Sequence, residues 1–522
     1  MMRRSFSIGR TPIRKNARRS LSALARIFAG RCSRITVEFV LMLVAATAVF
    51  TVSAHAADVK TIDLGKQAQV WFVEDHTVPI VAFNISLPAG SAYDPAGRQG
   101  LARFAAAMMD EGAGNLNSAA FHRALAAKAI QFSARTDRDY TVISIIAQAA
   151  DAGEAMRLLQ MALLHPRFDN DALTRVRTQM LQAQAQESAD PGQVAAKSFM
   201  RAFFNGHPYG HDTDGDAAGV KAATAAELKA FAHAHWVKNG IKIALAGDIS
   251  QAAATKLLGQ TFAPLPATMV PPPPNVGRLG APGTHVVPMA VPQPNAVFGL
   301  PGVMREDPDF IPAYVANYIL GGGGFSSRLM TEVREKRGLT YGISTGLSSY
   351  RKACVWVGQV ATRADAVNQT LDVVRQTMSD FAANGPTEQE LDDAKTYLTG
   401  SFPLAFDSNA GIAAQLGTYQ RQGLDAGYVA RRNDLIRAVT LADVRRVAKR
   451  LFDPSRLTVI VAGSPAGGPV TQRPKPPVRP APPPPATART APQAAAKPTA
   501  SAKSAPKTVD KPVAQPAQKP AQ

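Results

Sequence analysis

The stretch from Gly321 to Tyr341 reads GGGGFSSRLMTEVREKRGLTY, joining a glycine run, a short amphipathic helix and a spaced Arg/Tyr pair. Gly321, Gly322, Gly323 and Gly324 carry no Cβ, so another backbone can approach closely and positive φ is open at each step. That suits a loop lying against a bound chain, with Phe325 and Ser326 at its exit. Ser326 or Ser327 is placed to cap the following helix, Leu329 and Val333 share a face, Glu332 and Lys336 pair at i,i+4, and Gly338 ends the helix. Arg334 falls in the last turn and Tyr341 just past the break, at the head of a strand-like run. A glycine run before a helix can also cradle phosphate. Here no G-K-[ST] follows, and no G-x-G-x-x-G with a later acidic partner is present, so nucleotide binding loses its support.

The order of these features, a glycine-rich loop, then S-R-L at Ser327-Arg328-Leu329, then R-x6-Y from Arg334 to Tyr341, closely resembles the C-terminal half of the pitrilysin/insulinase family of zinc peptidases. The resemblance covers roughly residues 60 to 465. It implies an α/β (α+β) fold of two tandem homologous domains like those of mitochondrial processing peptidase, each a sheet packed with helices. It also implies that Arg334 and Tyr341 act as catalytic-support residues facing the zinc across a cleft, with Gly321 to Gly324, Phe325 and Ser326 binding substrate. A guanidinium and a phenol are donors that can fix a peptide carbonyl and stabilise developing negative charge.

Active members carry H-x-x-E-H on a helix, with two His on one face binding zinc and the Glu acting as general base. The matching run here, GLARFAAAMMDEG after LPAGSAYDPAGRQ, puts Arg103 at the first His, Ala106 at the Glu and Ala107 at the second His. Alanine has no ligand atom and arginine does not deprotonate to bind a cation. The resemblance places the third ligand, a Glu, on a later helix, where Gln179, Gln182, Gln184 and Gln186 stand. No metal is expected on this chain. Elsewhere, His207 and His211 flank Pro208 and Gly210 in HPYGH, a turn, and His233 and His235 lie two apart on a helical run.

The net charge of +19 resembles a nucleic-acid signal until it is located. Residues 1–57 carry +9 and residues 463–522 carry +8, which leaves a nearly neutral body at +2. Nucleic-acid binding by the core therefore has no support. The N-terminal end reads as an export signal: arginines crowd residues 3–34, Phe39 to Val52 is apolar but short for a membrane span, and Ala54-His55-Ala56 matches A-x-A. This places the mature chain in the periplasm with cleavage after Ala56, retention as an anchor being the alternative. Cys32 would leave with the signal, and Cys354, in the alternating run ACVWVGQVA, reads as a buried strand residue.

An internal repeat supports two domains. Ala223 to Ser250 parallels Val439 to Pro465, each reading as a capped helix, a turn and a β-branched strand ending in A-G. The expected division is 1–57 export segment, 58–262 first domain, 263–295 Pro-rich stiff linker acting as a hinge, 296–465 second domain and 466–522 Pro/Ala/Lys-rich disordered tail. The tail's charge suits weak contact with an anionic envelope surface, or simply a solvated tail.

Three functions are consistent with these residues. The chain is the zinc-less, substrate-binding subunit of a heterodimeric metallopeptidase that cleaves peptides or small proteins in the envelope, its partner supplying H-x-x-E-H and the zinc. Alternatively it is a non-catalytic peptide-binding or assembly protein using the same cleft, as in the family's respiratory-complex core subunits, or an active zinc endopeptidase with unrecognised ligands.

Overall fold

The computed structural model describes residues 58–65 and 68–464. The export segment, including Cys32 and the site after Ala56, and the tail from 466 lie outside the described residues. No described helix is long and apolar enough to cross a membrane.

The first half opens with β1 (Lys60–Asp63), β2 (Ala68–Glu74), β3 (Ile80–Leu87), α1 (Leu101–Ala107), the short pair β4 (Gly112–Ala113) and β5 (Leu116–Asn117), and α2 (Ser118–Ala127). It continues with β6 (Gln131–Thr136), β7 (Thr141–Gln148), α3 (Ala152–Leu164), α4 (Asn170–Glu187), α5 (Pro191–Phe204), α6 (Ala217–Ala222), α7 (Ala225–His235), β8 (Ile241–Gly247) and α8 (Gln251–Phe262). The second half contains β9 (Gly283–Val287), β10 (Asn295–Pro301), α9 (Phe310–Asn317), β11 (Ile343–Ser349), β12 (Cys354–Ala361) and α10 (Val367–Asn384). It ends with α11 (Glu388–Gly400), α12 (Asn409–Arg421), α13 (Tyr428–Arg437), α14 (Leu441–Leu451) and β13 (Thr458–Ala462).

The two sheets repeat one topology. The first runs β1-β2-β8-β3-β7-β6 and the second β11-β12-β10-β13-β9. In each, one parallel pair (β2 with β8, β9 with β13) is followed by antiparallel neighbours, so β9 holds the place of β2 and β13 that of β8. The stretch 263–295, read as a linker, thus already contributes a strand to the second sheet.

The repeated helix–strand units are built alike. Thr224 with Glu227 and Thr440 with Asp443 form capping boxes at the starts of α7 and α14. The A-G that ends each strand has a steric cause. Gly247 (φ 138°) and Gly463 (φ 140°) take positive φ, and a Cβ there would stand 2.2 Å from the Ile80 carbonyl oxygen and 2.5 Å from Pro294 Cβ.

The halves are not merely hinged by the linker, because each lends a helix to the other. Strands such as β3 and β8 are buried on both faces, so each sheet needs cover on both sides. Ile412, Ala413, Leu416 and Tyr419 of α12 pack on Trp71, Val73, Ala82, Ala244 and Ala246 of the first sheet. Reciprocally, Ala195, Phe199 and Phe203 of α5 pack on Val297, Val355, Ile460 and Ala462 of the second. At about 1.5–3 kcal/mol per fully buried large apolar side chain, this exchange joins the halves strongly. Polar contacts fix its register: Gln420 Nε2 donates to the Gln69 and Ile243 carbonyls (3.0 and 3.1 Å), and Asn409 Nδ2 donates to that of Ile80 (3.0 Å).

Candidate functional site

The glycine-rich segment is held between two widened helical turns. After α9 the chain continues as a π turn over Tyr318–Gly322, with Gly323 N donating to the Tyr318 carbonyl at 2.8 Å. A 3₁₀ turn at Gly324–Ser326 leads to a second π turn at Met330–Glu335, where Lys336 N donates to the Thr331 carbonyl at 3.0 Å. Such turns are rare in helices and concentrate at functional sites. The buried Asn317 side chain fastens the first turn to the sheet: its Oδ1 accepts from Thr345 Oγ1 and Trp356 Nε1, both at 2.8 Å. Nothing in the spacing of the sequence marked Asn317.

Two expectations for this segment are corrected. Positive φ is used only at Gly324 (φ 60°), not at each glycine. The other three are needed because the protein's own atoms are close: an added Cβ would lie 2.5 Å from Thr345 Oγ1 at Gly321, 2.6 Å from Asn317 Nδ2 at Gly322 and 2.9 Å from the Tyr318 carbonyl oxygen at Gly323. Likewise neither serine caps the helix. Ser326 and Ser327 donate their hydroxyls back to the Gly323 and Gly324 carbonyls at 2.9 and 2.8 Å, tightening the loop.

The remaining features fall where the pattern puts them. Leu329 and Val333 are fully buried, Glu332 pairs with Lys336 at 2.6 Å, and Gly338 (φ 59°) ends the helix. Arg328, of S-R-L, is structural: it grips Glu390 through two bonds of 2.6 and 2.7 Å, donates to the Gly385 carbonyl at 3.0 Å and lies over Phe381. Arg334 differs. Among the described residues its guanidinium has no hydrogen bond or ion pair, and it lies 4.8 Å from the ring centroid of Phe325. Phe325 is 65% exposed and Tyr341 88%. Two exposed aromatic rings and a half-buried guanidinium without an ion pair among the described residues thus mark this segment.

The helix at the zinc-motif position is α1. Asp94 anchors its start, accepting from the Gly100 and Ala102 amides at 2.7 Å each. Arg103 Nε lies 3.2 Å from Asp214 Oδ1, while Gln184 Nε2 donates to the Asp214 carbonyl at 2.7 Å. Alongside, Lys197 pairs with Glu187 at 2.6 Å and with Asp212. Burial, then the neighbouring Asp212 charge, pushes the Asp214 carboxyl up, and Arg103 opposes this. Ala106 is buried and Ala107 half-buried. A donor-only guanidinium and two methyl groups do not fit zinc, and the nearby carboxylates already face Arg103 and Lys197.

Among the described residues the other histidines singled out in the sequence do not gather into a ligand set. His207 Nδ1 accepts from the Tyr209 amide at 3.1 Å and its Nε2 faces the Pro274 carbonyl at 2.9 Å, while His211 follows a 3₁₀ turn. His233 is exposed, and His235 stacks on Phe231 with ring centroids 4.3 Å apart. One group that the sequence reading missed, Asp110, Glu111 and His122, brings possible ligand atoms within 4.8 Å. Arg175 and Ser118 already hold the Glu111 carboxylate, so a cation stands there as part of the protein. Burial pushes the Cys354 thiol up to about 11, as befits an inert strand residue.

No described hydrogen bond or ion pair links Arg334 or Tyr341 to Arg103, Ala106 or Ala107, which stand on different halves. The second half thus presents two exposed aromatic rings and an uncommitted guanidinium, and the corresponding helix of the first half carries Arg103, Ala106 and Ala107.

The model of the insulinase family, peptidase family M16, matches residues 69–216, and that of the peptidase M16 inactive domain matches residues 222–398. A Helicobacter pylori protein named as the non-peptidase homolog YmxG is 25% identical over 399 residues, 76% of this chain and 91% of its own. A crystal structure of a peptidase M16 inactive domain from Pseudomonas fluorescens superposes with a TM-score of 0.73 at 30% identity, covering 78% of this chain and 98% of that one. A protease from H. pylori shares the fold, with a TM-score of 0.70 at 18% identity, covering 78% and 99%. With both halves matched and the S-R-L and R-x6-Y positions in place, this chain belongs to the insulinase family, peptidase family M16.

Proposed function

We propose that this chain is the zinc-less, substrate-holding subunit of a two-chain M16 peptidase. The observation that carries this reading is the contrast between the halves. Phe325 and Tyr341 are exposed and the half-buried Arg334 keeps its guanidinium free of ion pairs among the described residues, while the α1 positions for metal ligands hold Arg103, Ala106 and Ala107. A surface kept ready for a peptide on the same chain as a helix that cannot bind zinc is what a division of labour requires. The partner would bear H-x-x-E-H and the metal. In this chain the Arg334 guanidinium and the Tyr341 hydroxyl donate to substrate carbonyls and fix the backbone. The export signal read in the sequence supports a periplasmic location for the complex.

A second reading, peptide binding or assembly without cleavage, is favoured by the name of the H. pylori relative, a non-peptidase homolog. Co-expression with a zinc-bearing family member separates the two. The expected result is cleavage by the mixture only, with turnover lowered in Arg334→Ala and Tyr341→Phe while the partner's zinc content stays constant. Zinc-dependent cleavage by this chain alone overturns the proposal. Peptide binding by an inactive mixture favours the second reading.

A further inference from the structure

Between the halves lies a cavity of about 510 Å³ that neither the zinc-motif helix nor the glycine-rich segment lines. Its walls include Lys242 of β8 and the β6–β7 loop from the first half, and Arg305, Arg351 and Arg421 from the second. Four cations thus converge from both halves on one concavity.

Their charge is poorly answered by the protein. Lys242 Nζ donates to the neutral Gln69 Oε1 at 3.3 Å, and Arg351 Nη1 to the Tyr93 hydroxyl at 3.2 Å. Arg421 donates to Asn84 Oδ1, Ser86 Oγ and Thr418 Oγ1, at 3.1, 3.1 and 2.9 Å. The Arg305 guanidinium lies over Phe310 and Tyr428, 4.1 and 4.9 Å from the ring centroids, and its buried Nε has no partner among the described residues. The one cation–carboxylate approach among these groups is Arg421 Nε to Asp137 Oδ2, at 4.0 Å.

The acids that share the cavity are engaged otherwise or stand at its mouth. Asp137 Oδ1 accepts from the amides of Asp139 and Tyr140 at 2.8 and 2.7 Å. Asp139 accepts from the Tyr209 hydroxyl at 2.5 Å and the Arg351 amide at 3.0 Å. Glu306 is exposed. Consistent with crowded positive charge, burial and then the nearness of Arg351 and Arg421 hold the Lys242 ammonium below its ordinary range.

We propose that this interdomain cavity binds a small, phosphate-bearing multivalent anion that bridges Lys242 of the first half to Arg305, Arg351 and Arg421 of the second. The volume suits a small molecule. A phosphate group offers oxygens in several directions to guanidinium forks and an ammonium that arrive from different elements, whereas one carboxylate presents a single edge. The anion replaces mutual repulsion with shared attraction and so ties the halves together.

The test uses the full chain and inorganic diphosphate, with sodium chloride at matched ionic strength as control. Diphosphate at saturation is expected to raise the melting temperature by about 2–4 °C, through preferential binding to the folded state. Lys242→Met should melt at or above the wild-type temperature without ligand, because repulsion is relieved, and should lose most of the diphosphate-induced rise. Arg305→Met provides a second arm read by calorimetric titration, where a binding isotherm at least 10-fold weaker than wild type is expected. The proposal is overturned if wild type shows no shift beyond the chloride control. It is equally overturned if both variants respond as wild type does, which would assign the effect to the basic tail, or if an acidic peptide stabilises the chain and diphosphate does not.

Discussion

The Arg334 guanidinium lies 4.8 Å from the centroid of the Phe325 ring, and it has no ion-pair partner among the described residues. Most arginines near it are committed: Arg328 to Glu390 and Arg337 to Glu332. Stacking restrains Arg334 without using its donors, which leaves them for a peptide carbonyl. In an active two-chain complex, Arg334→Ala should therefore lower kcat/KM by about 10- to 100-fold, the loss of a charged hydrogen bond of about 1.5–3 kcal/mol. Phe325→Ala removes the restraint and one exposed ring of the surface, about 0.5–1 kcal/mol, but leaves the guanidinium, and should cost about 2- to 5-fold. Steady-state kinetics with one fluorogenic peptide checks both. Equal losses in the two variants would show that the stack, and not the guanidinium, is what matters.

The glycines of the loop answer to the protein's own packing, which makes a sharp contrast testable. Gly321→Ala drives a methyl to 2.5 Å from Thr345 Oγ1 and 2.9 Å from Leu329 Cδ1, so something must move. Overpacking of this kind costs about 1–3 kcal/mol. Gly342, at the other end of the segment, has open space around its missing Cβ. Gly342→Ala should leave stability within about 0.5 kcal/mol of wild type. Urea denaturation of the two variants measures the difference, and equal midpoints would contradict the account of the loop.

Much of this architecture is legible in residue order, and the unread parts share a cause. The repeat from Ala223 to Ser250 and from Val439 to Pro465 shows itself because capping threonines, β-branched strands and the terminal A-G are local signals. Arg103, Ala106 and Ala107 are legible because a ligand either has a lone pair to offer or does not. The exchange of α5 and α12 is not legible. Ile412, Leu416 and Tyr419 announce an amphipathic helix, but their spacing does not say which sheet receives it. The π turns escape for a similar reason. Their register depends on Asn317 reaching Thr345 and Trp356, contacts that are distant in sequence. The Arg103–Asp214 pair is a tertiary contact of the same kind.

Arg328 is predicted to be a stability residue, although it sits inside the S-R-L motif of the family. Its two bonds to Glu390 and one to the Gly385 carbonyl brace the loop against the start of α11, where Glu390 also completes a capping box with Thr387. Losing them should cost about 1–3 kcal/mol. Arg328→Lys keeps the charge but not the fork and should recover only part. Zinc content and kinetics of a complex assembled below the melting transition should remain near wild type. A large kinetic effect with unchanged stability would move Arg328 into the binding surface.

His235 gives the fold a pH dependence whose sign follows from burial. Its ring stacks on Phe231, meets Tyr93 edge-on at 5.2 Å, and has a buried Nδ1 without a partner among the described residues, so the neutral form is favoured and the pKa falls to about 4 from 6.5. The unfolded chain binds this proton more readily than the folded one. Stability from this residue is therefore complete above pH 6.5 and is lost as pH falls from 6.5 towards about 4, where the loss levels off. The full difference corresponds to about 3 kcal/mol, reduced by whatever solvent reaches the ring. His235→Phe keeps an aromatic stack and removes the titration. Its denaturation free energy, relative to wild type, should rise as pH is lowered across that window and stay constant above it. A difference that does not change with pH would mean that the imidazole is solvated in the folded protein and not buried against Phe231.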